Sequence, residues 1–368
     1  MEDMVTLEPA SEEFWRGRRV FLTGHTGFKG SWLSLWLTRL GAQVTGFSLA
    51  PETPGLFEQA RVAELVTHVE GDIRDMASVE AAMSAARPEV VFHLAAQPLV
   101  RLSYATPVET FATNVQGTVH VLDACRRAAD LKAIVCITSD KCYENRETDR
   151  PYREDDAMGG YDPYSASKGA AELIVSAYRR SFFSDGSARL ASVRAGNVIG
   201  GGDWAQDRLI PDIIRAMIAN EAPLIRAPDS VRPWQHVLEA LGGYMMIAEN
   251  LFSGADWAAT GWNFGPAEDD TQPVRWIADR MTAAWGSPGW TRPDGPQPHE
   301  AKLLKLDCSK ARDELGWLPV LDLDKALKNI VEWHLAVDRG EDPRAISLAQ
   351  LDDYRAAFRR TIAQKGAA

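Results

Sequence analysis

Short apolar runs alternate with helical patterns through the first 200 residues, and this rhythm constrains the fold more than any other feature. The patterns predict strands at 19–23, 42–49, 66–70, 90–94, 133–138 and 189–195, and helices at 31–40, 79–86, 107–129 and 161–183. Strands that alternate with helices form parallel sheets covered by helices on both faces. We therefore predict an α/β fold built on a doubly wound parallel sheet.

The alternation breaks after Gly200, where Pro and Trp become frequent. We predict a Rossmann-type cofactor domain at 19–200, with return segments at about 232–266 that include a late strand at 260–265. A smaller, mostly α-helical C-terminal lobe would take residues 201–231 and 267–345, with helices at 210–220 and 324–337 and a turn-rich loop at 287–297. An acidic N-terminal arm is predicted at 1–18 and a C-terminal helix or tail at 346–368, helical over 348–364.

The composition excludes several function classes. A formal net charge of −11 argues against a nucleic-acid surface, because binding a polyanion requires a basic face. The four cysteines have no metal-ligand spacing, so we predict no metal site and reduced thiols. No apolar run approaches the ~20 residues that span a bilayer, and the acidic N-terminus does not resemble a signal peptide. We therefore expect a cytoplasmic protein with no membrane partner.

A glycine-rich turn with G-x-x-G-x-x-G spacing, Gly24, Gly27 and Gly30, follows the first strand and opens a helix. Glycine lets the backbone approach a phosphate, and the amides of a helix N-terminus face the anion. This context predicts a dinucleotide site. No Asp or Glu follows the second strand until Glu52, and Ser48 can bind either ribose, so these residues favour NAD over NADP only weakly. The predicted cofactor contacts are Gly24, Thr26, Gly27, Phe28, Lys29, Gly30, Ser48, Asp72, Ile73, Leu94, Ala95, Ala96, Gln97, Asn114, Thr138, Tyr164 and Lys168.

Tyr164 and Lys168 are four residues apart on a predicted helix and therefore share a face. An ammonium and a positive nicotinamide both favour the phenolate, so we expect a lowered tyrosine pKa. Ser139, one strand–helix unit earlier, can hydrogen-bond the same hydroxyl. Such a trio takes a proton from a substrate alcohol while a hydride passes to NAD.

The charged pair Asp140–Lys141 directly follows an apolar strand. Alone, such a pair is most often a solvated strand end. Hydride transfer through Tyr164 and Lys168 leaves this acid and this base without a task, which indicates chemistry beyond a simple oxidation.

Six stretches resemble the extended short-chain dehydrogenase/reductase superfamily, over about 19–337, and within it the nucleotide-sugar dehydratases that act on CDP-glucose. They are Thr-Gly-His-Thr-Gly-Phe-Lys-Gly-Ser-Trp (23–32), His-Leu-Ala-Ala-Gln-Pro-Leu-Val (93–100), Thr-Ser-Asp-Lys-Cys-Tyr (138–143), Asp-Pro-Tyr-Ser-Ala-Ser-Lys (162–168), Arg-Ala-Gly-Asn-Val-Ile-Gly-Gly-Gly-Asp-Trp (194–204) and Arg-Pro-Trp-Gln-His-Val (232–237). The dTDP-sugar dehydratases carry Asp-Glu where this chain has Asp140–Lys141, so Lys141 discriminates within the branch. Ser139 stands where many relatives have Thr.

The resemblance implies a 4,6-dehydration in which NAD stays tightly bound and is regenerated in each turnover. Tyr164 would take the O4 proton and Asp140 would be the acid for loss of water from C6. Lys141 would either remove the C5 proton or stabilise the enolate; both roles stay open. The product would enter deoxysugar biosynthesis for a surface polysaccharide such as the O-antigen of lipopolysaccharide.

The resemblance also implies the partners. The predicted substrate contacts are Gln97, Ser103, Ser139, Asn197, Arg208, Arg232 and His236, where arginine forks suit diphosphate oxygens and His236 has a structural alternative. A homodimer is implied, or a tetramer. The rival interpretations are a nucleotide-sugar 4-epimerase, a dehydratase of another nucleotide hexose, and a non-catalytic dinucleotide-binding regulator.

Overall fold

The computed structural model describes residues 10–293 and 304–366. Its strands are β1 (Arg19–Thr23), β2 (Gln43–Ser48), β3 (Thr67–Glu70), β4 (Val90–His93), β5 (Ala133–Ile137), β6 (Arg189–Ala195), β7 (Asn197–Ile199), β8 (Val231–His236), β9 (Gly261–Phe264) and β10 (Thr271–Pro273). Seven of them form one parallel sheet in the order β3-β2-β1-β4-β5-β6-β9. The predicted doubly wound sheet is confirmed, and its strand order reverses between β1 and β4.

Helices cover both faces of this sheet, and others belong to the C-terminal half. The helices of the described residues are α1 (Glu12–Trp15), α2 (Phe28–Arg39), α3 (Leu56–Gln59), α4 (Met76–Ala86), α5 (Val100–Ala105), α6 (Pro107–Phe111), α7 (Gly117–Cys125), α8 (Pro163–Phe182), α9 (Leu209–Ile218), α10 (Val237–Phe252), α11 (Val274–Trp285), α12 (Ser309–Asp313), α13 (Leu323–Asp338) and α14 (Pro343–Gly366). No helix among the described residues is long and apolar enough to cross a membrane.

Alternation along the strands divides the core between the two faces. On β1, Val20 and Leu22 pack with α2, α10 and α14, whereas Phe21 packs with α4, α7 and α8. Val91 on β4 joins Phe21 on that second face. Each such buried side chain contributes roughly 1.5–3 kcal/mol, and both faces are dry because the strands are apolar on both sides.

A second sheet, in the order β10-β8-β7, lies in the C-terminal half. Trp234 of β8 and Ile199 of β7 bury against α9, α11 and α13. The predicted return of residues 232–266 to the large sheet is therefore wrong for 232–236, because Trp234 finds its apolar partners in this smaller core. Only α10 and β9 return to the large sheet.

Two predicted helices need correction, and the predicted N-terminal arm has a packed second half. The single helix at 107–129 is instead α6, a π-helical turn at Ala112–Gln116 and α7, which ends at Cys125. The second half of the N-terminal arm is docked, since Trp15 is buried and its indole donates to Glu249 Oε1 (2.6 Å). The last helix begins earlier than predicted, at Pro343. Residues 1–9 of the acidic arm and the end of the loop at 287–297 lie outside the described residues.

Candidate active site

A cleft of ≈ 1500 Å³ runs along the carboxyl ends of the large sheet. Its walls include the glycine turn before α2, the loop after β5 and the first turns of α8, together with the segment that precedes α9. Ligands of doubly wound folds bind at this edge, where the strand order reverses. The three motifs that lie far apart in the sequence therefore meet in one cavity.

The glycine turn forms a bare backbone cradle. Gly24 has φ +77°, and a Cβ there would lie 2.7 Å from the backbone nitrogen of Ala95. A Cβ at Gly30 would lie 2.1 Å from the carbonyl oxygen of Gly24. Gly27 is the N-cap of α2 and supplies no side-chain cap, so the helix N-terminus is left for another acceptor. These residues fit a pyrophosphate.

The remaining walls of this half of the cleft match the predicted cofactor contacts. Ser48 and Thr26 share a hydrogen bond (2.8 Å) at the end of β2. Asp72 holds Arg74 through Nε (2.8 Å) and Nη2 (2.5 Å), and this pairing lowers the pKa of Asp72. The other predicted residues on the wall are Phe28, Lys29, Ile73, Leu94, Ala95, Ala96 and Thr138.

Gln97 and Asn114 do not line the cleft, unlike the other predicted cofactor residues. Asn114 is buried in the π-helical turn, where its amide donates to the carbonyl of Gln97 (3.0 Å) and to Ser167 Oγ (2.9 Å). The Gln97 side chain donates to Thr110 Oγ1 (2.9 Å) and accepts from the backbone of Leu99. Both residues therefore brace the loop after β4, and their contact with the cofactor stays a prediction.

Asp140 and Lys141 form a single 3₁₀ turn after β5. Ser139 Oγ donates to Asp140 Oδ1 (2.9 Å) and accepts from the backbone amide of Lys141 (3.2 Å). Asp140 is only 6% exposed, and burial raises the pKa of its carboxyl group although Lys141 and Arg232 oppose the shift. Asp140 is therefore suited to hold a proton inside the cleft.

Tyr164 and Lys168 lie on the first turns of α8, which Pro163 and the N-cap Asp162 begin. Both side chains are buried on the cleft wall. Burial lowers the pKa of Lys168 to about 8. Among the protein's own groups, burial raises the pKa of Tyr164 to about 12, although its hydrogen bond with Ser139 opposes the shift. The expected lowering of the tyrosine pKa is therefore wrong for the protein's groups alone, and it would have to come with the positive nicotinamide.

Lys29, on the first turn of α2, links the cofactor half to the catalytic half. Burial lowers its pKa to about 8, and Arg208 and Lys168 add to the shift. Asp140 and Asp203 act in the opposite direction. A change of charge at this ammonium is therefore felt by both halves of the cleft.

The predicted substrate residues divide into two groups. Asn197, Arg208 and Arg232 line the cleft with Ser139. Ser103 and His236 do not, and neither side chain is exposed.

The buried pair has structural tasks. Ser103 Oγ accepts from the backbone amide of Tyr164 (3.1 Å), which holds the start of α8. His236 is the N-cap of α10, where Nδ1 accepts from the amide of Leu238 (3.3 Å), and burial lowers its pKa to about 3. These contacts give Ser103 and His236 structural tasks, and their contact with the substrate stays a prediction.

A buried ion pair beneath the site escaped the sequence analysis. Arg194 on β6 donates to both oxygens of Glu172 on α8 (2.9 and 2.8 Å). Glu172 also accepts from Thr138 Oγ1 (2.5 Å) and Ser192 Oγ (2.8 Å). These bonds tie together the elements that carry Asp140, Tyr164 and the loop after β6. The one sequence signal was that Glu172 lies four residues beyond Lys168, on the same helix face.

No group of three His, Cys, Asp or Glu side chains that could hold a metal occurs in the part of the chain that the structure describes.

Comparison with known proteins places the chain among nucleotide-sugar enzymes. Residues 21–330 match the family model described as GDP-mannose 4,6 dehydratase. The chain is 53% identical to a CDP-glucose 4,6-dehydratase of Salmonella typhimurium, over 95% of this chain and 99% of that protein. A dTDP-glucose 4,6-dehydratase of Streptomyces venezuelae, solved with NAD bound, superposes with a TM-score of 0.75 at 21% identity, covering 89% and 99% of the two chains. A UDP-glucose 4-epimerase of Thermotoga maritima gives 0.76 at 22% identity, with coverage of 86% and 99%.

Proposed function

The chain belongs to the GDP-mannose 4,6 dehydratase family, and from this membership we propose that it is an NAD-dependent hydro-lyase that converts CDP-D-glucose to CDP-4-keto-6-deoxy-D-glucose and water. One observation carries the proposal: a buried Asp140 with a raised pKa stands beside Lys141 in the same cleft as Tyr164 and Lys168. A simple oxidation has no use for that acid. The 53% identity to a CDP-glucose 4,6-dehydratase supports the choice of nucleotide.

NAD fits the first half of the cleft, where Gly24, Gly27 and Gly30 leave the backbone open to a pyrophosphate. Ser48 and Asp72 would hold the adenosine end, and Tyr164 and Lys168 the nicotinamide ribose. Bound there, NAD would take the hydride from C4 of the hexose and return it to C6. We assign residues 19–200, with α10 and β9 as return segments, to the cofactor domain, and 201–231 and 267–345 to the substrate lobe. Ser139 and Asn197 of the cofactor domain would also contact the nucleotide sugar.

The chain's own residues manage the protons. Tyr164 acts as a phenolate, which Lys168 and Ser139 stabilise; it takes the O4 proton and becomes the neutral phenol. The ketone formed at C4 acidifies the C5 proton. Lys141 would either take that proton and return it to C5 as the hydride reaches C6, or stabilise the enolate while the proton is exchanged with water. Asp140 gives its proton to the C6 hydroxyl, which leaves as water. Burial raises the pKa of Asp140, which favours the protonated carboxyl group that this step needs.

Two rival activities make different products. A 4-epimerase would use Tyr164 and Lys168 but would leave Asp140–Lys141 idle, and a dehydratase of another nucleotide hexose would share all the chemistry. Incubation with the CDP-, dTDP-, GDP- and UDP-hexoses, followed by mass spectrometry, tests all three. Loss of water from CDP-glucose alone is expected, with strong absorbance of the 4-keto product in alkali. An epimer without water loss would refute the proposal.

Lys141→Ala tests the site itself. We expect NAD to bind as in the wild type while dehydration is abolished, because Lys141 acts on the hexose and lies outside the glycine turn. Near-normal turnover of this variant would refute the assignment. Lys328→Ala, an exposed lysine on α13 paired with Glu332, is the matched control and should retain full activity.

The proposed assembly is a homodimer, or a tetramer built from it. Exposed apolar side chains on α6 and α8 support it: Val108 is 75% exposed and Leu173 63% exposed, and Phe111 on α6 and Phe182 on α8 are exposed as well. Leu173→Glu should shift the molar mass in light scattering to that of one chain.

A cytoplasmic location is proposed from the four buried free thiols and from the need for NAD. The product would supply deoxysugars for a surface polysaccharide such as the O-antigen.

A further inference from the structure

Two arginines at the cleft share one carboxylate oxygen. Arg101 Nη1 lies 3.1 Å from Asp207 Oδ1, and Arg226 approaches the same oxygen with Nη1 (3.3 Å) and Nη2 (3.4 Å). All three residues line the cleft. None of the three was predicted as a site residue.

The three side chains come from separate parts of the fold. Arg101 is on α5, after β4 of the large sheet, whereas Asp207 precedes α9 and Arg226 follows it. The Asp207 backbone has φ +59°, in the left-handed region that few residues other than Gly adopt. The carboxylate therefore bridges the two walls of the cleft from a constrained turn.

The neighbouring residue repeats the arrangement. Arg208, already a predicted substrate contact, donates to Asp203 Oδ2 (3.0 Å), and Asp203 is buried. Three guanidinium groups and two carboxylates thus meet around residues 203–208. The pairs that Asp207 makes with Arg101 and Arg226 are exposed and therefore weak, because water screens both charges. A stronger anion can therefore replace a carboxylate that is 39% exposed.

Guanidinium forks bind carboxylate and phosphate oxygens with the same bidentate geometry. We propose that Arg101 and Arg226 form a diphosphate subsite for which Asp207 is the resident counter-ion, displaced when a nucleoside diphosphate sugar binds. This inference rests on the proposed function and extends its substrate contacts beyond Arg208 and Arg232. Asp207 then lowers the affinity of this subsite for the diphosphate, because its ion pairs with Arg101 and Arg226 must break whenever the ligand binds.

Calorimetric titration of the full-length protein with CDP tests the exchange without any need for turnover. Asp207→Asn should bind CDP about three- to tenfold more tightly, since the competing charge is gone. Arg226→Gln and Arg101→Gln should each weaken CDP binding by about tenfold. The matched control is Asp352→Asn. Asp352 on α14 forms a similarly exposed ion pair with Arg39 on α2 (3.0 Å), and its substitution should leave CDP affinity unchanged.

The outcomes separate this inference from the proposed function. Unchanged or weaker CDP binding by Asp207→Asn overturns the exchange, because a carboxylate that only braces the loop would give that result. If the protein binds UDP, dTDP or GDP rather than CDP, and Asp207→Asn tightens that ligand, the exchange stands and the choice of CDP-glucose falls. If none of the four diphosphates binds, both fall.

Discussion

The Glu172–Arg194 ion pair beneath the cleft gives the sharpest stability prediction. Both side chains are about 4% exposed, and Glu172 receives four hydrogen bonds, two of them from Arg194. Although burial opposes both shifts, the pair lowers the pKa of Glu172 and raises that of Arg194, so both groups are charged. Arg194→Met leaves a buried carboxylate with only Thr138 and Ser192 as donors. We expect it to lower the free energy of unfolding by about 3–5 kcal/mol.

Glu172→Gln should cost a similar amount, because the buried Arg194 then has no counter-charge and keeps only neutral acceptors: the new amide oxygen, Tyr143 Oη (2.6 Å) and the carbonyl of Glu154 (3.1 Å). The double variant removes both charges, so its loss should be smaller than the sum of the single losses by at least about 2 kcal/mol. Urea unfolding followed by tryptophan fluorescence measures all four proteins. Additive losses, or a loss below about 1 kcal/mol for Arg194→Met, would show that the pair is not the brace that its geometry indicates.

Three further predictions concern the cofactor turn, the acid and a buried carboxyl group. Gly30→Ala should lower NAD affinity by more than about tenfold in calorimetry while CDP binding is retained, because its Cβ would meet the Gly24 carbonyl at 2.1 Å; unchanged NAD affinity would contradict the cradle. Asp140→Asn should slow dehydration by about 10²–10⁴-fold without loss of CDP binding, as removal of a general acid does. Burial raises the pKa of Glu239 to about 8, against hydrogen bonds from two backbone amides. The folded protein then binds a proton that the unfolded chain has released, so stability falls as pH rises from about 5 to about 8, by up to about 1.4 kcal/mol per pH unit; Glu239→Gln should remove this slope in urea titrations at each pH.

Most residues of the site could be found in the sequence because of how parallel sheets are built. Strands of one direction bring all their carboxyl ends to one edge, so motifs that follow β1, β5 and β6 converge without any knowledge of packing. That is why Gly24, Asp140, Tyr164 and Asn197 lie in one cleft, as the motif positions predicted. The apolar periodicity likewise predicted the six first strands of the large sheet to within one or two residues.

Side-chain roles were decided by contacts that the local sequence does not contain. Ser103 meets the amide of Tyr164 across 61 residues, and Asn114 reaches Ser167 across 53. The residue type does not show whether a polar side chain near a motif contacts a ligand or hydrogen-bonds a buried backbone group. Only the burial and the hydrogen-bond partners of the side chain distinguish these two roles. The local sequence also did not show where β8 packs, because Trp234 contacts apolar residues of the smaller core that lie far away in the chain.

The pair Asp140–Lys141 shows both halves of this division. The residue types of this pair and its place after a strand indicated acid–base chemistry beyond hydride transfer, because oxidation through Tyr164 and Lys168 does not use Asp140 or Lys141. Whether Asp140 could hold its proton depended on its burial, which comes from the packed elements around it. The sequence determined which groups are present at the edge of the sheet. The tertiary structure determined their pKa shifts, because packing removes solvent around them, and it determined which partners lie within hydrogen-bond distance.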